Sequence, residues 1–162
     1  MTKVNPYNNT EAKKKQVTQM FDNIAGSYDF LNHTLSLGMD NIWRKIAIKK
    51  LSNNPATILD IATGTGDFAI SASKYTNATI TGIDISQGML DVGVEKINKK
   101  GLTDRIKLQL ADSENLPFHD NSYEAVTAGF GVRNFEDLNK GLSEMYRTLK
   151  SGGIIAILEP SE

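Results

Sequence analysis

The residues with the clearest chemical meaning are glycines and carboxylates set between apolar runs. After Thr57-Ile58-Leu59-Asp60-Ile61 comes Ala62-Thr63-Gly64-Thr65-Gly66-Asp67-Phe68-Ala69, so a Gly-x-Gly-x-x-Ala turn joins an expected strand to an expected helix. Glycines at such a junction allow a tight turn and let the backbone approach a ligand closely. About 20 residues after the turn, Asp84 ends a second apolar run, where a carboxylate can accept the hydroxyls of a ribose. Asp112, with Ser113 beside it, follows a third run and is placed to accept a hydrogen bond from an adenine amino group. Both positions also suit plain turn or cap residues. Together they describe a seat for an adenosine.

Two ligands carry that group and differ in charge at the other end. A pyrophosphate would sit on the N-terminus of the helix that follows the turn. Asp60 and Asp67 flank this position and would repel it, whereas they would attract a sulfonium and an ammonium. At ~4 Å and a surface-like dielectric such a charge term is worth about 4 kcal/mol. The loop therefore favours S-adenosylmethionine, with a nicotinamide dinucleotide and hence an oxidoreductase kept as the alternative. No cysteine and only two histidines leave neither a thiol nucleophile nor a thiolate zinc site, and no metal is expected.

These residues need elements to hold them. Short apolar runs at Thr57–Ile61, Ala78–Asp84, Ile106–Leu110, Ala125–Ala128 and Gly153–Leu158 alternate with helical patterns at Asp67–Tyr75, Ser86–Lys99 and Asp137–Lys150. The expected fold is α/β and Rossmann-like, a mostly parallel sheet covered by helices on both faces, with ligands at the carboxyl ends of its strands. Near Asn53-Asn54-Pro55 the pattern changes. Before it, Val17, Met20, Phe21, Ile24, Tyr28 and Leu31 recur at spacings of three and four, and Ile42, Trp43, Ile46, Ala47 and Leu51 repeat this, with Asp40 placed to cap the second helix. Residues 1–53 are thus expected to form a helical cap and 54–162 a ligand-binding core. Only four residues follow the fifth strand, so the chain is expected to be a fragment lacking C-terminal strands. Self-association or swapping through Gly153–Leu158 is expected from the unpaired edge, unless local residues cover it.

The bulk properties narrow the setting. The 162 residues are 40% hydrophobic and 23% charged, as in ordinary globular chains. Eighteen Lys and Arg against nineteen Asp and Glu give a formal charge of -1, which gives no general attraction to nucleic acid. No apolar run approaches the ~20 residues of a membrane span, and Met1-Thr2-Lys3-Val4-Asn5-Pro6 lacks the apolar stretch of a signal peptide. The expected location is the cytoplasm.

Two long segments and one short one carry a family resemblance. Tyr28-Asp29-Phe30-Leu31-Asn32-His33-Thr34-Leu35-Ser36-Leu37-Gly38-Met39-Asp40-Asn41-Ile42-Trp43-Arg44 and Arg147-Thr148-Leu149-Lys150-Ser151-Gly152-Gly153-Ile154-Ile155-Ala156-Ile157-Leu158-Glu159-Pro160-Ser161 resemble the two signatures of the menaquinone and ubiquinone biosynthesis C-methyltransferases. Gly129-Phe130-Gly131-Val132-Arg133-Asn134-Phe135 is similar to the stretch after their fourth strand. The chain departs from the pattern at Asp40, where many members have His, at Thr148 (Val), at Ser151 (Pro) and at Gly129, where some members have Ser. Members also continue through another helix and a strand pair. The resemblance implies methyl transfer from S-adenosylmethionine to a ring carbon of a prenylated quinol, with Tyr28, Arg133 and Asn134 around the quinol and no metal. Joined to the loop, it assigns donor contacts to Asp60, Thr63, Gly64, Gly66, Asp84, Asp112, Ser113 and Gly129. A donor-binding fragment without turnover is the further alternative.

Several residues have a plainer reading. Tyr28 also suits simple packing and Arg133 a surface ion pair, while His33 and Asp40 are second-tier acid or base candidates. Phe21 and Trp43 are expected in the core. Lys13-Lys14-Lys15 beside an amphipathic helix suits either a solvated helix start or contact with anionic lipid, the latter placing the protein peripherally on the inner membrane face.

Overall fold

The computed structural model describes residues 12–160; Met1–Pro6, read above as a polar start, and Ser161 lie outside them. Three helices come first: α1 (Lys13–Ile24), α2 (Tyr28–Leu35) and α3 (Asp40–Lys49). Then strands β1 (Thr57–Ile61), β2 (Thr79–Asp84), β3 (Ile106–Leu110), β4 (Tyr123–Gly129) and β5 (Leu149–Leu158) alternate with α4 (Asp67–Tyr75) after β1, α5 (Gln87–Lys99) after β2 and α6 (Leu138–Thr148) before β5.

The five strands form one parallel sheet in the order β3-β2-β1-β4-β5. The chain moves outward from β1 through β2 to β3, then returns to β4 on the other side. That reversal leaves a crevice at the carboxyl ends of β1 and β4, where open α/β sheets bind ligands.

Alternation along β1 explains how both faces are covered. Ile58 joins Ile80, Ala125, Phe68, Ala72 and Ile97 under α3, α4 and α5. Leu59 and Ile61 join Ile83, Val126, Ala128 and Met145 under α6 and the loop carrying Leu116. Ile48 and Leu51 belong to the first cluster, so α3 is packed into the core and not set apart from it.

The N-terminal region differs from its expected form in three ways. The apolar repeat through Leu31 is broken by a 3-10 turn at Ala25–Ser27, where Gly26 weakens the helix. Ile42 and Ile46 of α3 are 54% and 52% exposed. The buried face is instead Asp40, Arg44 and Ile48, spaced by four, and it is tolerable because Arg44 donates to Asp40 Oδ2 at 2.7 Å. Nor does Asp40 cap α3; Met39 holds that position. Burial alone would raise the Asp40 carboxyl, but the Ser36 hydroxyl and the Arg44 guanidinium together hold it below the usual range.

At the other end β5 is longer than expected. Tyr123 pairs with Leu149 and Ala125 with Ile154, so the intervening residues bulge around Gly152, whose φ is +79°. Among the described residues β5 has β4 as its one neighbour.

Candidate functional site

A cavity opens at the carboxyl edge of the sheet, with about 620 Å³ of space when its open mouth is included. Strands β1 to β4 contribute residues at or just beyond their ends. Ala62 and Gly64 follow β1, Asp84 and Ile85 lie at β2, Asp112, Ser113 and Glu114 follow β3, and Gly129 to Gly131 with Asn134 to Glu136 follow β4. Helix α1 closes one side with Lys14, Val17 and Phe21, and α2 supplies Tyr28.

Asp84 is the anchor of this edge. Its Oδ2 accepts the Gly64 N–H at 2.8 Å and its Oδ1 the Ser86 N–H at 2.9 Å. The carboxylate therefore fixes the glycine turn and still keeps a lone pair on each oxygen for a ribose hydroxyl. Burial pushes the group upward in pKa, opposed by these backbone N–H groups, and the net direction is up. Gly64 and Gly66 both have positive φ, +56° and +82°, which is why the turn needs glycine. Ala62 and Phe130 adopt the same left-handed region, at +52° and +61°, and both line the cavity.

The structure moves the negative charge from where it was expected. Asp60 does not face the cavity: it is 1% exposed, and its oxygens accept the hydroxyls of Thr63 at 2.6 Å and Thr127 at 2.7 Å. Burial pushes its carboxyl up to about 6 despite those two hydrogen bonds. Asp67 is paired with Lys96 and lies 3.6 Å from Arg44, so it offers no free charge to a ligand. Asp84, Asp112, Glu114 and Glu136 supply the acidic lining instead, against Lys14.

Of the expected donor contacts, Gly64, Asp84, Asp112, Ser113 and Gly129 line the cavity, while Asp60, Thr63 and Gly66 stand outside its walls. Gly66 faces Leu108 and Ile97. Asp112 is engaged by Lys14 at 2.7 Å and by the Glu114 N–H at 2.9 Å. Close packing explains the small residues after β4. A Cβ on Gly129 would meet the Phe68 ring at 2.6 Å, and one on Gly131 would meet Ala62 Cβ at 2.5 Å.

Of the expected quinol contacts, Tyr28 and Asn134 line the cavity and Arg133 does not. Arg133 sits on a 3-10 turn, half exposed, with Nε 3.9 Å from Glu159 Oε2. Glu159 holds this turn through Oε1, which accepts the Val132 N–H at 2.7 Å. Burial raises the Tyr28 phenol, partly offset by the charges of Arg44 and Arg133, so Tyr28 keeps its proton at neutral pH. His33 and Asp40 bond to each other at 3.1 Å outside the cavity. Phe21 packs edge-on to Tyr28, and Trp43 lies 6.4 Å from Phe130.

Reading the sequence missed the part played by α1. Lys13 donates to the Phe135 carbonyl at 2.6 Å and Lys14 to Asp112, so two residues of the basic run are turned onto the site. Asp22 accepts the Ser86 hydroxyl and the Gly88 N–H, tying α1 to the start of α5. The spacing of Lys14 and Phe21, both on the face of Val17, is the signal that could have shown this.

The fold and its crevice define the chain as a Rossmann-like α/β protein with the architecture of solved S-adenosylmethionine-dependent methyltransferases. It is similar to the solved structure of a Methanococcus maripaludis protein described as a putative S-adenosyl-L-methionine-dependent methyltransferase: TM-score 0.70, 28% identity, covering 93% of this chain and 66% of that one. The [4+2]-cyclase SpnF shares the fold at TM-score 0.76 and 22% identity, over 89% of this chain and 59% of that one. Residues 9–162 match the ubiE/COQ5 methyltransferase family, and the chain belongs to it. It is 55% identical to the demethylmenaquinone methyltransferase of Bacteroides fragilis, over 97% of this chain and 65% of that protein. It is 47% identical to the ubiquinone/menaquinone biosynthesis C-methyltransferase UbiE of Geotalea daltonii, over 91% of this chain and 64% of that protein. The chain thus spans about 65% of the length of the curated relatives it matches.

Proposed function

We propose that the chain carries the donor site and much of the acceptor site of a C-methyltransferase acting on a prenylated quinol, demethylmenaquinol or its benzoquinol counterpart. The observation that carries this reading is that one cavity joins Gly64, Asp84 and Asp112 to Tyr28 and Asn134. An adenosine fits the first group: Asp84 has acceptors for the ribose, Ile85 and Met89 offer apolar walls for a base, and the acidic lining suits the cationic end of S-adenosylmethionine. When bound, that donor supplies an electrophilic methyl, which forms a bond to the ring carbon as the sulfur–methyl bond breaks.

The chain's own residues then have defined tasks. A quinol carbon becomes nucleophilic when its hydroxyl gives its proton to water, and the methylated ring carbon then releases its own proton to water to restore the aromatic quinol. Tyr28, kept protonated by burial, donates a hydrogen bond to the resulting oxyanion. Asn134 orients the ring oxygen from the turn that Lys13 of α1 holds. The Arg133 guanidinium, always cationic, lies outside the cavity walls and acts on the same negative charge through space, as its charge is felt at Tyr28. Most of the rate comes from alignment of the two reactants in one crevice, with positioned proton transfer adding about 10²–10⁴-fold. Lys13 and Lys14 bond inward, which favours the solvated helix start over lipid contact for this basic run.

The test is transfer of labelled methyl from S-adenosylmethionine to demethylmenaquinol. Tyr28→Phe is expected to lower kcat about tenfold, the worth of one hydrogen bond to a charged oxygen, while donor affinity stays within twofold. Saturable donor binding with no product would establish a donor-binding fragment without turnover; binding of NAD in place of the donor would overturn the assignment.

A further inference from the structure

A second polar cluster surrounds Thr65 of the glycine turn, outside the cavity walls. Thr65, the residue between the two glycines, is 2% exposed. Its hydroxyl donates to Asp29 Oδ1 at 2.5 Å. Lys96 of α5 donates to Asp29 Oδ2 at 2.6 Å, to Thr65 Oγ1 at 3.2 Å and to Asp67 Oδ1. Asp67 Oδ2 lies 3.6 Å from Arg44, which in turn bonds Asp40. One ammonium therefore links the glycine turn, the start of α4 and the start of α2.

An independent contact fixes the same junction. Gly93 lies one helical turn before Lys96, and a Cβ there would come within 3.0 Å of the Thr65 carbonyl. Helix α5 thus presses its backbone against the turn while Lys96 reaches over it.

We propose that Lys96, Asp29 and Thr65 form a positioning clamp that couples the donor turn to the acceptor wall. Asp29 follows Tyr28 directly, and the two are the first residues of α2. Holding Asp29 against Thr65 holds the Tyr28 phenol over the cavity. Lys96 is the central member because it keeps two carboxylates, Asp29 and Asp67, beside each other. Without its charge Asp29 is repelled from Asp67, and the first turn of α2 moves away. The donor turn itself stays in place, since Asp84 anchors Gly64 from the other side. None of the three touches the cavity, so each acts through Tyr28.

This inference rests on the methyl-transfer reading for its kinetic test and stands apart from it in a spectroscopic one. Lys96→Met is expected to lower kcat about tenfold with donor affinity changed less than threefold, and Lys96→Arg to restore turnover to within about threefold. Asp29→Asn should match Lys96→Met, and the double variant should be no worse than either single change. Without any turnover, the Tyr28 phenol reports directly: its alkaline absorbance titration, isolated by difference against Tyr28→Phe, should fall towards the ordinary tyrosine value in Lys96→Met. Multiplying losses in the double variant, loss of donor affinity at unchanged kcat, or an unmoved Tyr28 titration would overturn the clamp. Wild-type protein that makes no methylated quinol would overturn the functional reading and leave the titration result to decide the clamp.

Discussion

Asp84→Asn binds S-adenosylmethionine about a hundredfold more weakly than the wild-type chain; this is the largest single-site effect expected at the donor site. The carboxylate faces two backbone N–H groups, of Gly64 and Ser86, one on each oxygen. An amide can accept from one of them and must turn its own NH₂ towards the other. One charge-assisted hydrogen bond is lost, a donor meets a donor, and the charge that would receive the ribose hydroxyls is gone. At about 1.5–3 kcal/mol for a hydrogen bond to a charged group and 1.4 kcal/mol per tenfold, a hundredfold loss follows. Calorimetric titration measures it, with circular dichroism to show that the variant is folded. An affinity within threefold of wild type would remove Asp84 from the site.

The second large effect is on stability and its pH dependence. Asp60 has its carboxyl pushed up to about 6 by burial, against 3.8 for an ordinary aspartate. Between those values the folded chain holds a proton that the unfolded chain has released. Stability therefore falls as pH rises from about 4 to about 6, and linkage puts the full change at about 3 kcal/mol. Other carboxylates respond in both directions, so the comparison with Asp60→Asn isolates the effect. Denaturant unfolding at pH 4 and pH 7.5 should show the wild type losing about 3 kcal/mol relative to the variant at the higher pH. Parallel curves for the two chains would disprove the assignment.

What was legible in the sequence follows from what each signal encodes. The strands of the core are continuous Ile, Leu and Val runs, and Ile58 to Ile61 could be placed because burial on both faces leaves no room for polar residues except Asp60. The glycine turn and Asp84 were legible for a similar reason: positive φ selects glycine, and a strand-end carboxylate has few other uses. The charge on the loop was misread because ion pairs depend on distant segments. Nothing local to Asp67 announces Lys96, 29 residues away, or Arg44 on another helix. The same holds for Asp60, whose partner Thr127 lies three strands further along the chain, 67 residues away. Helix α3 was read inside out because Ile42 and Ile46 imply a buried stripe, while the Asp40–Arg44 pair that is buried looks polar until its two charges are seen to cancel. Ala62 and Phe130 carried no signal at all, since neither residue type announces a left-handed backbone.

The indole of Trp43, the one tryptophan of the chain, rests near Phe130, which lines the cavity. An intrinsic fluorophore thus sits one ring behind the wall of the site. Its emission maximum and quenching should follow occupancy of the crevice in real time, without any label, and stopped-flow mixing would then resolve the order in which the two reactants arrive.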